Sequence, residues 1–194
     1  MKYFSNITDL PVHDLNAELG KLIKDKQLEW DTVKNQFCLN TIPGKESDYI
    51  FGTGSLTHDW ETTREELDDY GNTHLIVDEY SEPYKESDFT ILCDQFKGTL
   101  FEDVYYALDR KYYLGRVRIM RSKSKTCLSW HMDSTPRVHY AIKTQEGAFM
   151  VIEDEVMHMP QSTWWWTNTL VNHTAFNASM ADRIHLVATI IGIK

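Results

Sequence analysis

Residues 114–143, LGRVRIMRSKSKTCLSWHMDSTPRVHYAIK, decide how this 194-residue chain is read. Arg116 to Arg121 alternates arginine with Val117 and Ile119, the period-two signature of a strand with one wet face. Asp133-Ser134-Thr135-Pro136 is turn chemistry, and Arg137 to Lys143 resumes as a second strand. Further on, Ala148 to Ile152 and Val156 to Met159 flank Glu153-Asp154-Glu155 as a hairpin, and Thr163 to Thr169, Thr174 to Ala178 and Arg183 to Ile193 complete the run. Upstream the period changes. Residues 14–25, DLNAELGKLIKD, set Leu15, Leu19, Leu22 and Ile23 on one side after a cap at Asp14, and Leu100 to Tyr112 brings Leu100, Val104, Ala107 and Leu108 to one face. Asn35 to Ile42 reads as an early strand. Helices followed by about seven short, evenly spaced strands predict a mainly β fold with supporting N-terminal helices. A double-stranded β-helix, or jelly roll, is the natural form, because its mouth holds a small ligand among inward-facing side chains.

The length suits a single domain over 1–194, with residues 1–113 as helical and loop support with early strands and 114–194 as the jelly-roll core. A net charge of −9 argues against a nonspecific grip on nucleic acid or an anionic membrane. Cys38, Cys93 and Cys127 are far apart, odd in number and lack metal-type spacing, which argues against a disulfide scaffold and suits a reducing cytoplasm. The opening MKYFSNITDL has no long apolar run, and no segment reaches the ~20 apolar residues of a membrane span. Residues 43–75, with Pro43, Gly44, Gly52, Gly54 and Gly71, read as a long irregular segment carrying a short helix at 62–69; Leu75 to Val77 is a short strand, and 78–87 is acidic and turn-rich. The acidity of residues 59–103 favours either a partner bearing positive charge or a plain solvated face.

Three side chains stand out chemically. His131 and Asp133 are two apart, so on an extended strand both point to one side, and His173 follows forty residues after Asp133. Two neutral nitrogens and one anionic oxygen form the ligand set of a non-heme Fe(II) facial triad, which leaves positions for a co-substrate and dioxygen. Arg183, ten residues past His173, opens an apolar strand, where a guanidinium is costly to bury unless a carboxylate meets it. A dicarboxylate co-substrate would provide one, paired in bidentate fashion. The plainer reading makes His131 and Asp133 turn residues and pairs Arg183 with Asp182. In Trp164-Trp165-Trp166, the first and third rings face one side and the second the other, which suits core packing on both faces of a barrel strand better than the alternative, a stacking platform for bases or sugars.

The order His131-x-Asp133, Arg137-x-His139, a Trp-rich strand, His173-x-x-x-Asn177 and Arg183-x-His185-Leu186 resembles the Fe(II)/2-oxoglutarate-dependent dioxygenases. Within them it looks most like the aspartyl/asparaginyl β-hydroxylase branch, which includes some free-proline hydroxylases; the resemblance covers roughly residues 114–192. It implies Fe(II) at His131, Asp133 and His173, the distal carboxylate of 2-oxoglutarate at Arg183, and Arg137, His139 and Ser129 around the same co-substrate. Asn177 and Trp166 would be structural, and His185 a core histidine near the pocket. The implied activity is hydroxylation of an amino-acid side chain (proline or aspartate/asparagine, free or in a peptide), with decarboxylation of 2-oxoglutarate to succinate and ascorbate as reductant. A free substrate would need the segment 43–90 as a cap, a peptide an open groove. Gln161-Ser162 departs from the glycine turn that relatives often carry there. The alternatives are a metal-free jelly-roll module that binds a small acidic ligand, and a cupin-like enzyme with zinc, manganese or nickel, which lacks its usual third histidine here.

Overall fold

The computed structural model describes residues 2–30, 32–54, 56, 60–67, 71, 73–80 and 84–194. In chain order the elements are β1 (Phe4–Ile7), α1 (Leu15–Lys24), β2 (Gln36–Cys38), β3 (Asn40–Thr41), β4 (Trp60–Leu67), β5 (Thr73–Tyr80), β6 (Ile91–Leu92), α2 (Leu100–Lys111), β7 (Tyr112–Ser122), β8 (Thr126–Cys127), β9 (Arg137–Lys143), β10 (Ala148–Ile152), β11 (Glu155–Met157), β12 (Trp164–Thr167), β13 (His173–Asn177) and β14 (Arg183–Ile193). Short 3₁₀ turns lie at Glu86–Asp88 and Asp94–Phe96.

From β7 onward the chain alternates between two sheets. The major sheet has the order β1-β12-β9-β14-β7-β2 and the minor one β11-β10-β13-β8, all antiparallel. Eight strands shared four to each sheet in this winding form a jelly roll, as the strand spacing predicts. β1 and β2 extend the major sheet at its edges.

The outer face of the major sheet supplies the main core. Val117, Ile119, Val138, Tyr140, Ile142, Trp164, Leu186 and Ile190 are buried there against Leu15, Leu19 and Leu22 of α1 and Phe101, Val104 and Leu108 of α2. Both helices form where their apolar stripes and caps place them: the Asp14 carboxylate accepts from the Ala17 N–H, and the Thr99 hydroxyl from the Phe101 N–H. The aromatic triplet divides as the alternation predicts: Trp164 and Trp166 pack into the helix-side core, and Trp165 into the smaller cluster with Met150 and Ile152 between the sheets. The Trp164 indole donates to the Pro11 carbonyl at 2.8 Å and the Tyr140 hydroxyl to the His13 carbonyl at 2.6 Å, anchoring the approach to α1. Ser162 takes φ 61, the left-handed conformation that explains why a glycine suits this turn.

One expectation for the early chain fails. Residues 62–69 are not helical: β4 pairs with β5 from Trp60↔Tyr80 to Leu67↔Thr73, and 68–70 lie outside the described residues. The helix-forming glutamates of Trp60–Leu67 are outweighed by pairing with Thr73–Tyr80, where Thr73, Ile76 and Val77 favour a strand, with Gly71 at φ 80 between the two. The strand expected at Leu75 to Val77 is therefore the middle of a longer one. Of the turn-rich stretch 78–87, residues 81–83 also lie outside the described residues.

Asn40 locks the early chain to β7. Its buried amide donates to the carbonyls of Phe89 at 2.6 Å and Gly115 at 2.9 Å, and its oxygen accepts from the Val117 N–H at 2.7 Å. Asn40→Ala leaves three backbone groups unpaired and is expected to cost about 2–3 kcal/mol, read as a lower urea midpoint with an unchanged slope.

Candidate active site

Alternation on the major sheet gives its inner face an unusual composition. β7 turns Arg116, Arg118, Met120 and Ser122 inward, β9 turns Arg137 and His139, and β14 turns Arg183, His185 and Val187; nearly all line one cavity or the groove outside it. The wet face expected for Arg116 to Arg121 is thus corrected. Arg116 and Arg118 are 3% and 7% exposed, because the Gly52–Gly54 segment, with Glu86 for Arg116 and Gln36 for Arg118, takes up their guanidiniums.

The cavity, about 110 Å³, holds His131, Asp133 and His173, and opens into a groove of about 510 Å³ that shares His131 and Asp133 as its wall. One potential ligand atom from each of the three lies within 4.8 Å of the other two. Backbone pairing brings them together: His131 and His173 exchange N–H···O bonds of 3.1 and 2.9 Å across an isolated bridge, and the Asp133 N–H donates to the Thr169 carbonyl at 2.8 Å. Each histidine repeats one device. Its Nδ1 meets the carbonyl two residues earlier, Ser129 for His131 at 2.8 Å and Val171 for His173 at 3.0 Å. A carbonyl only accepts, so both Nδ1 atoms carry the proton and both Nε2 lone pairs are free. Burial holds the His173 imidazole below its usual pKa, with the neighbouring His131 adding to the effect. Neutral imidazoles with a carboxylate beside them are suited to a divalent metal.

The arginines differ in how they are satisfied. Arg116 bonds Glu86 at 2.8 Å and the carbonyls of Gly52 and Gly54 at 2.6 and 2.8 Å. Gly52 sits at φ 86, with the Phe89 ring where a Cβ would stand, so only glycine brings its carbonyl this close. Arg137 bonds Asp133 at 3.2 Å and the Thr135 carbonyl and hydroxyl. Arg183, fully enclosed, has no carboxylate in bonding range among the described residues; its Nη2 donates to His185 Nδ1 at 3.0 Å. Burial pushes its pKa down to about 10. Asp182, the alternative partner, lies 4.0 Å from Arg121 instead. His185 accepts at Nδ1 and therefore carries its proton at Nε2, which has no partner among the described residues, and neither ring nitrogen of His139 has one there. Burial, and then the Arg183 charge, keep both imidazoles well below their usual pKa and neutral.

Of the residues expected at the site, His131, Asp133, His173, Arg137, His139 and Arg183 line the cavity together. Ser129 lines only the outer groove, and its carbonyl rather than its hydroxyl meets His131. Two other hydroxyl residues line the inner cavity, Thr169 and Ser122, the latter the cross-strand partner of Arg183. Ser122, Arg118 and Thr169 escaped the sequence reading. The repeat Arg-Val-Arg-Ile, Arg-Val-His-Tyr, Arg-Ile-His-Leu carries the signal for Arg118, since all three strands share one phase. Asn177 is structural: its buried amide donates to the Ser122 and Ala181 carbonyls at 3.0 and 2.8 Å, shaping the turn into β14.

The chain belongs to the aspartyl/asparaginyl β-hydroxylase family, whose description matches residues 57–191, and it is an oxygenase of the hydroxylase type. Among solved structures it is similar to a cupin domain protein of Bordetella pertussis Tohama I, at 16% identity over 39% of this chain and 79% of that one, TM-score 0.35. An oxidoreductase of the 2OG-Fe(II) oxygenase family from Burkholderia pseudomallei shares 18% identity over 40% of this chain and 43% of that one, TM-score 0.37. A non-heme monooxygenase, ThoJ in a nickel complex, shares 12% identity over 49% and 51%, TM-score 0.33. No curated protein matches the chain. No helix among the described residues is long and apolar enough to cross a membrane.

The Glu86–Arg116 pair allows a pH test. Burial by itself raises the Glu86 pKa, but the hydrogen bonds and charge of Arg116 outweigh it and hold the carboxyl below its usual value. A depressed folded-state pKa adds stability that is complete above the unfolded value of about 4.3 and is lost as pH falls through the folded one. Glu86→Gln is expected to unfold about 3 kcal/mol more easily at pH 7, with the gap to wild type narrowing on acidification. Equal gaps in urea titrations at pH 7 and pH 3 would contradict this.

Proposed function

We propose that the protein is an Fe(II)- and 2-oxoglutarate-dependent dioxygenase that hydroxylates an amino-acid side chain, proline or aspartate/asparagine, free or in a peptide. The observation that carries this reading is the sharing of one cavity by the His131, Asp133 and His173 donors and by Arg183, a buried guanidinium with no carboxylate in range among the described residues. The donor set fits the metal: two Nε2 lone pairs freed by their tautomers and one carboxylate, all within 4.8 Å. Iron held there would supply the activation of dioxygen and the oxidation of a C–H bond, coupled to the decarboxylation of 2-oxoglutarate to succinate.

The chain's own groups do the binding, orienting and drying. Arg183 offers its guanidinium to the distal carboxylate of 2-oxoglutarate, with the Ser122 hydroxyl and the unpartnered His185 Nε2–H as further donors beside it. Arg137 holds one oxygen of Asp133 at 3.2 Å and leaves the other turned toward His173 at 3.6 Å. Neutral His139 faces the same space with both nitrogens free for a polar partner. Val187, Met150, Ala175 and Leu128 complete the lining and keep bulk water from it. Ser129 belongs to the outer groove in this reading, and ascorbate serves as the external reductant.

The rival is a metal-free jelly-roll module in which Arg183 holds an acidic ligand without chemistry. Anaerobically iron-loaded protein given 2-oxoglutarate and then oxygen separates the two. Oxygen-dependent succinate is expected, absent from His131→Ala and weakened in Arg183→Ala by roughly 100-fold in 2-oxoglutarate affinity. Failure to bind iron and 2-oxoglutarate together would leave the binding module. Removing the metal with a chelator is expected to lower the melting temperature of wild type and to leave that of His173→Ala unchanged, because a ligand confined to the folded state stabilises it.

A further inference from the structure

We infer that the outer face of the minor sheet is a docking surface for a second copy of this chain, packed face to face about a twofold axis. The inference stands apart from the oxygenase chemistry, because this face turns away from the cavity.

Strand phase identifies the face. An antiparallel sheet that covers a core on one side and meets water on the other alternates apolar-in with polar-out. In β10 and β13, Met150, His173 and Ala175 line the cavity and Ile152 packs between the sheets, so Phe149, Val151, Thr174 and Phe176 turn outward. Cross-strand pairing adds Val156 beside Val151 and Cys127 beside Phe176. Trp130, one position before the inward His131, follows the outward phase at the same edge. The rings of Phe149 and Phe176 lie 5.5 Å apart, and His158 meets Phe149 edge-on at 6.0 Å. The outward side is thus mainly apolar where polar residues are the rule. Its Thr174 hydroxyl and His158 Nδ1 are spent on the carbonyls of Leu128 at 2.6 Å and Ala148 at 2.8 Å, which leaves it little to offer water. Both helices are committed to the major sheet, and here Val156 and Trp130 remain 60% and 56% exposed.

Charge names the occupant. The turn between β10 and β11 sets the exposed Glu153 and Asp154 at one corner of the face, at the end where Ile152 pairs with His173. The turn between β7 and β8 sets the exposed Lys123 and Lys125 at the opposite corner, on the other edge of the sheet and at the end where Thr126 pairs with Asn177. A twofold axis lying in the face along the remaining diagonal exchanges these two corners. Two identical copies therefore bring lysines to acids twice, as a self-complementary interface requires. The same rotation sets Phe149 against its own counterpart and Val151 of each copy against Phe176 of the other. A net charge of −9 opposes self-association in general, so the local opposite charges select this one orientation.

Size sets the strength. Four strands spaced ~4.8 Å apart, with five residues of ~3.4 Å along β10, span roughly 300 Å² in plan. That is the size of an apolar patch that marks an interaction site, and it falls at the low end for a specific interface. The dimer is accordingly reversible, with a Kd of about 1–100 μM.

Sedimentation equilibrium of the full chain tests this. From about 1 to 500 μM the mass is expected to rise from 22.7 kDa toward twice that value. The dimer is expected to weaken roughly tenfold between about 50 and 500 mM salt. Val156→Lys is expected to weaken it at least tenfold with an unchanged urea midpoint, since the side chain it replaces is open to solvent. Reversing either corner, as Glu153→Lys with Asp154→Lys or Lys123→Glu with Lys125→Glu, is expected to weaken it similarly. The acid-corner reversal does so although it lowers the overall charge. The chain carrying all four reversals is expected to regain the wild-type Kd within about threefold, a rescue that damage to the fold would not give. Wild type that stays monomeric at the highest concentration overturns the inference and leaves the face to a different protein. A dimer indifferent to Val156→Lys and to the reversals also overturns it, as does failure of the fourfold variant to recover. Should a reversal misfold, Val156→Lys and the wild-type salt dependence still decide.

Discussion

Burying guanidinium groups is the constraint on which the rest of this jelly roll depends. A cation moved from water into a protein interior costs several kcal/mol unless its donors are met, and here Arg116, Arg118, Arg137 and Arg183 all face the space between two sheets. Much of the irregular chain exists to meet them. The Gly52–Gly54 segment turns two carbonyls to Arg116 and one of them to Arg118, the 3₁₀ turn at Glu86–Asp88 aims a carboxylate at Arg116, and the Asp133–Thr135 turn wraps Arg137. With the polar side chains gathered inside, the outer face of the same sheet is free to be apolar, and it carries the helices.

The same closure sets the chemistry. Desolvation holds His139, His173 and His185 below the usual imidazole pKa, and backbone carbonyls meet Nδ1 of His131 and His173, so that their Nε2 atoms are the ones offered as ligands. The cations that remain unpaired make the interior positive in a chain of net charge −9. Such a field acts locally: within low-dielectric walls the nearest charges dominate, while the acidic surface is screened by salt over roughly 10 Å. An anionic ligand is therefore compatible with an acidic protein, and the acidity of residues 59–103 says little about what enters the cavity.

Much was legible in the chain. Period-two alternation placed most strands of the core, the capped apolar stripes placed both helices, and the His131, Asp133, His173 and Arg183 spacing named residues that do come to one cavity. The errors have physical causes. Alternation marks which side chains share a face, but a solvated face and a closed polar lumen produce the same pattern, so Arg116 and Arg118 read as surface. Glutamate-rich Trp60–Leu67 has helical propensity, and it was the availability of Thr73–Tyr80 as a pairing partner that made it a strand. Ser129, near His131 in sequence, lines the outer groove, whereas cross-strand pairing sets Ser122 beside Arg183, a neighbourhood that sequence distance does not reveal.

By itself the sequence determined the elements, the phase of each strand and the chemical types available to a site, because these depend on neighbours two to four positions apart. Only the tertiary structure decided which phase is interior, which arginines find an acid and which do not, and which ring nitrogens are left free. Those outcomes depend on the distance between groups that are far apart in the chain, and the winding of two sheets around one lumen sets that distance.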